Sequence, residues 1–90
     1  MVAPLAFITA WARSAVVPRG GAFHTLHPHQ IAAPVLQALL QRVGLNPAAV
    51  DAVVLGNALG AGGNPARMLS LHAGLAERCA AYTVDTQCCA

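Results

Sequence analysis

Apolar residues fall into blocks along this chain, and glycine and proline punctuate most of the gaps between them. Leu5-Ala6-Phe7-Ile8-Thr9-Ala10-Trp11 is dense in β-formers and apolar on both faces, which predicts a buried first strand. The stretch from Arg13 to Pro28 holds Pro18, Gly20, Gly21 and Pro28 and reads as a long surface loop. From Ile31 the positions Ile31, Val35, Leu36, Leu39, Leu40 and Val43 recur at helical steps, so a helix with one buried face is expected, stopped by Gly44. Pro34 has no N–H to donate, which favours a helix that starts late, within a turn of it, over one that bends around it.

Asn46-Pro47 supplies a cap and first position for a short helical turn through Val50, and Ala52-Val53-Val54-Leu55-Gly56 reads as a second buried strand. Gly60-Ala61-Gly62-Gly63 is a loop. Asn64-Pro65 repeats the helix-start signal, and Ala66, Leu69, Leu71, Ala73 and Leu75 are expected to cover an inner face until Gly74 and Glu77 end the run. Ala80 to Val84 is a third strand. The order β-α-β-α-β, with helices as crossovers, predicts a parallel or mixed sheet of the α/β class in one unit over residues 1–90.

Composition narrows the picture. Aromatic residues make up 4% of the chain and much of its 57% hydrophobic content is alanine, so few large side chains exist to fill an interior. Such a small domain buries only about 60–65% of the surface its unfolded chain exposes, so support from a partner or further sequence is expected. Charged residues, at 9%, are far below the roughly 25% of ordinary soluble domains, which points the same way. The net charge of +2 comes from Arg13, Arg19, Arg42, Arg67 and Arg78, scattered and without lysine, so a nucleic-acid surface is not expected. Met1 to Ala12 is too short to span a bilayer and lacks a basic leader, and a strand in a cytoplasmic protein with no membrane partner is the reading.

Three cysteines, Cys79, Cys88 and Cys89, form no even-numbered framework, and the adjacent pair would make a strained disulfide, so reduced thiols are expected. Cys88 lies just past the third strand, where a strand-to-helix junction can aim backbone N–H groups at a sulfur and favour its thiolate, which makes it a candidate nucleophile, although on spacing alone a buried structural cysteine is the favoured reading. Cys79 and Cys89 are assigned to packing. His24, His27 and His29 could supply two metal ligands on one loop, but three imidazoles without a fourth ligand make solvated loop histidines the better reading. The glycines at 60, 62 and 63 between a strand and a helix imitate a dinucleotide-binding βαβ unit. That fingerprint needs its first glycine at the strand end, where Asn57-Ala58-Leu59 intervene, and a small residue where Pro65 stands.

Four pieces in order resemble the N-terminal segment of the thiolase family, the acyl-CoA acyltransferases related to β-ketoacyl synthases. They are Arg13 to Phe23, Val50-Asp51-Ala52-Val53-Val54-Leu55-Gly56-Asn57, Gly62-Gly63-Asn64-Pro65-Ala66-Arg67, and Thr83-Val84-Asp85-Thr86-Gln87-Cys88. The resemblance implies a partial thiolase-like fold and sets Cys88 on the position of the nucleophilic cysteine. Asp85 stands where asparagine is more usual, and Cys89 where glycine is. The implied chemistry is acyl transfer through a cysteine thioester, with acyl-CoA as substrate, no cofactor, and a homo-oligomer as the assembly.

The downstream histidine and second cysteine that the resemblance calls for have no counterpart in these 90 residues, and Arg19 and Arg67 are at most candidates for CoA phosphates. The Ala90 carboxylate would put a negative charge near Cys88 and disfavour the thiolate. The isolated chain is therefore expected to show little or no thiolase activity. The competing expectation is a non-enzymatic truncated fragment with unpaired, association-prone strand edges.

Overall fold

A computed structural model describes residues 5–59 and 62–89 of the chain. Helix α1 spans Pro28–Val43, strand β1 Ala52–Gly56, helix α2 Pro65–His72 and strand β2 Ala80–Val84, with short 3-10 turns at Pro47–Ala49 and Gln87–Cys89. The strands pair in parallel, Ala52 opposite Ala80 through Gly56 opposite Val84. The β1-α2-β2 crossover thus gives the α/β arrangement that alternating strands and helices dictate. Among the described residues no helix is long and apolar enough to cross a membrane.

Local chemistry sets the helix ends. His27, in extended conformation, precedes α1, Pro28 takes the first position, and the Gln30 side chain reaches back to accept the His27 N–H at 2.7 Å. Gly44 stops α1 with a left-handed φ of 67°, the Leu45 N–H returning to the Leu40 carbonyl at 3.0 Å. After α2, Gly74 at φ 86° repeats the device, with the Leu75 N–H on the Ser70 carbonyl. Asn46 and Asn64 both act as caps, through Ala48 N–H and Arg67 N–H.

α1 packs on α2, and α2 packs on both strands. The interior has two lobes. Ala33, Leu69 and Ala73 meet the half-buried Ala32, Leu36, Val53 and Leu55. Leu40, Leu75 and Cys79 meet Leu36, Val50 and Val53. Removing a leucine side chain such as Leu40 or Leu69 from water contributes about 2 kcal/mol. Leu71, expected on the inner face of α2, is exposed, because it falls between the turns occupied by the buried Leu69, Ser70 and Ala73.

Three expectations are corrected. Residues 5–11 form no strand: Leu5, Phe7, Ile8 and Trp11 are largely exposed, and the segment is held to α1 by the Arg42 Nη1 bond to the Trp11 carbonyl at 2.7 Å. A β-forming composition cannot make a strand without a neighbouring backbone to pair with, and among the described residues none lies alongside. Second, α1 does not start late: Pro34 lies inside it with its ring exposed, because the proline start and Gln30 cap already fix the first turn. Third, β1 is buried on one face only. Its exposure alternates, as does that of β2, because both helices lie on one side of the sheet. Val54, Tyr82 and Val84 face outward. Met1 to Pro4, Gly60, Ala61 and Ala90, on which parts of the first strand, the glycine loop and the terminal carboxylate argument fall, lie outside the described residues.

Candidate functional site

Parallel pairing in register brings the carboxyl ends of β1 and β2 to the same edge. The next residue on each strand continues the junction. The Asn57 N–H donates to the Val84 carbonyl at 2.9 Å, and Asn57 Nδ2 donates to Asp85 Oδ1 at 2.8 Å. Beyond Asp85 the chain turns sharply: Gln87 takes φ 54°, rare for a residue with a side chain, and Gln87–Cys89 closes as a 3-10 turn with Cys89 N–H on the Thr86 carbonyl at 3.0 Å. Cys88 sits in the middle of that turn, and its side chain is exposed.

Beside the turn is a hollow of about 360 Å³ walled by Asn57, Leu59, Gly62, Thr83, Asp85 and Gln87. It lies outside the carboxyl ends of the strands, where open α/β sheets receive ligands. Cys88 is adjacent to this wall through Gln87 and does not itself line it. Asp85 is the hollow's one titratable lining residue among those described. The sequence pointed to Cys88 and missed Asn57 as a site residue. The signal was the position of Asn57 directly after a strand that pairs in parallel with the strand before Asp85.

The other candidates separate. Cys79 is 1% exposed in the core, as expected of a packing residue. Cys89, also assigned to packing, is exposed in the Gln87–Cys89 turn. Only His24 and His27 belong to the loop: His24 Nδ1 lies 2.8 Å from the Gly21 carbonyl, and His27 caps α1. His29 is half-buried in the first turn of α1. Its ring is near-parallel to that of His27 at 5.7 Å and meets His72 edge-on at 5.2 Å, a contact across α1 and α2 that no spacing in the sequence announced. No three metal-ligating side chains converge among the described residues. Arg67 donates to the Glu77 carbonyl at 3.3 Å, and Arg19 is exposed away from the hollow's lining. At the start of α2 the Arg67 N–H, one of the donors a dinucleotide pyrophosphate would need, is taken by Asn64 Oδ1 at 3.2 Å.

A family model, thiolase N-terminal domain, matches residues 6–90. The chain belongs to the thiolase family. This thiolase domain is 42% identical over 86 residues to the steroid 3-ketoacyl-CoA thiolase FadA6 of Mycobacterium tuberculosis, covering 92% of the chain and 21% of that protein. It is 38% identical over 71 residues to a probable acetyl-CoA acyltransferase of Staphylococcus aureus, covering 77% of the chain and 18% of that protein. The crystal structure of the Bacillus anthracis acetyl-CoA acetyltransferase superposes with a TM-score of 0.85 at 38% identity, over 90% of the chain and 21% of that protein. The thiolase domain described here thus spans about a fifth of the length of these relatives.

Proposed function

We propose that Cys88 is the acyl-accepting nucleophile of a thiolase-type acyl-CoA C-acyltransferase, of which residues 1–90 form part of the N-terminal domain. The Cys88 thiolate attacks the thioester carbonyl carbon of an acyl-CoA. A new sulfur–carbon bond forms, the bond to the CoA sulfur breaks, and CoA leaves as a thiolate that takes up a proton. In the second half-reaction the carbanion of another acyl-CoA attacks the acyl-enzyme and Cys88 leaves as thiolate. A thiolate suits both halves because it is a good attacker and a good leaving group. The oxyanion formed at each attack calls for preorganised N–H donors. The reading extends to a homo-oligomeric, cytoplasmic enzyme.

The observation that carries this reading is the turn after β2. An exposed cysteine follows a residue held at φ 54°, at the carboxyl edge of a parallel sheet, in a chain of the thiolase family. The test is single-turnover acylation. The protein is incubated with acetyl-CoA and its peptides are read by mass spectrometry. A slow, stoichiometric acetylation of Cys88 without turnover, removed by hydroxylamine and lost in Cys88→Ser, is the expected result, since the histidine and second cysteine that turnover calls for have no counterpart in these 90 residues. Acetyl groups shared equally between Cys88 and Cys89, or no adduct at all, would overturn it. Absence of an adduct together with concentration-dependent association through the exposed Val54, Tyr82 and Val84 would favour the non-enzymatic fragment instead.

A further inference from the structure

We propose that Asn57 is the positioning residue of the Cys88 turn: by holding the Asp85 carboxylate it ties the residue leaving β1 to the residue leaving β2 and fixes the direction in which the sulfur is presented. The proposal rests on the reading of Cys88 as acyl acceptor. Asn57 and Asp85 are 28 positions apart, and the parallel register alone makes them neighbours.

Gln87 explains why such a tie is needed. A left-handed φ at a residue with a side chain persists only where its flanks hold it. Downstream, the flank is the Cys89 N–H on the Thr86 carbonyl. Upstream, the sheet's ladder ends at the Asn57 N–H on the Val84 carbonyl, one residue short of Asp85. The side-chain bond at 2.8 Å extends the anchorage by that residue. Its acceptor is a carboxylate, which makes the bond short and charge-assisted. The chemistry of the pair is specific: an ionised Asp85 only accepts, so position 57 must donate, and a second carboxylate there would repel it.

The experiment measures the rate of acetyl transfer from acetyl-CoA to Cys88 in the full chain, in Asn57→Asp, and in the exchange variant Asn57→Asp with Asp85→Asn, which reverses donor and acceptor. Cys79 supplies an internal check of folding, since at 1% exposure it reacts with iodoacetamide only when the core opens. Asn57→Asp is expected to slow Cys88 acetylation about tenfold with Cys79 still protected, and the exchange variant to recover to within about threefold of the unaltered chain. An unchanged rate in Asn57→Asp, or an exchange variant as slow as the single one, overturns the proposal. Should Asn57→Asp expose Cys79, Asn57→Ser replaces it. Slowing with Cys79 protected then supports the tie, and an unaltered rate sinks it. If the unaltered chain takes up no acetyl group on Cys88, the acyl-acceptor reading falls and this proposal falls with it. If it does and the variants match it, this proposal alone fails.

Discussion

The Asn64 carboxamide donates through Nδ2 to the carbonyl of Ala81 in β2 at 3.1 Å. Its other atom, Oδ1, caps α2 through the Arg67 N–H, so one side chain joins the start of the helix to the middle of the strand. Asn64→Ala removes both bonds and is expected to lower stability by about 1–2 kcal/mol. Asn64→Asp keeps the cap but has no hydrogen to give Ala81, and its loss is expected to be smaller. Urea unfolding of the two variants side by side separates the cap from the crosslink.

Pro34 lies within the continuous α1 and is exposed. Pro34→Ala restores the N–H that a regular helix directs to the carbonyl four residues back, here Gln30. A gain of about 1–3 kcal/mol is expected, seen as a higher urea midpoint with more helical far-ultraviolet circular dichroism. A loss would show that the proline shapes the packing of α1 on α2.

Ser70 is fully buried, and its hydroxyl finds no hydrogen-bond partner among the described residues. Ser70→Ala replaces a stranded polar atom with nothing larger, so stability should rise by about 1 kcal/mol. Thermal unfolding monitored by circular dichroism reads the change.

At Gly44 a side chain would touch nothing within 4 Å, yet φ is 67°. Gly44→Ala is therefore a pure backbone test, with an expected loss of about 1 kcal/mol in urea unfolding and no change in core packing.

What could be read from the sequence was what neighbours along the chain determine. Ala52–Gly56 and Ala80–Val84 form the strands expected of them, and Asn46-Pro47, Asn64-Pro65 and Gly44 start and stop their elements as their stereochemistry requires. The parallel pairing follows from the crossover helix, and the packing of Cys79 from its place just before β2. The failures share a different cause. Residues 5–11 have the composition of a strand, but pairing is decided by residues distant in the chain. Pro34 taken alone argues for a late start, and it is the Gln30 cap, reaching back to the His27 N–H, that anchors the first turn ahead of it. For Asn57 the signal lies in its position directly after β1 and not in its residue type, since its partner is brought to it only when the two strands are laid side by side.

That lateral alignment sets a strict length on β1. Val53 and Leu55 point to the helices while their neighbours point away, so inserting a single residue directly after Ala52 would swap the two rows and send both core side chains into water. The same insertion would slide Asn57 one rung past Asp85. The spacing from the start of this strand to its exit is thus a ruler shared by the interior and the cysteine turn, and no edit to one leaves the other in place.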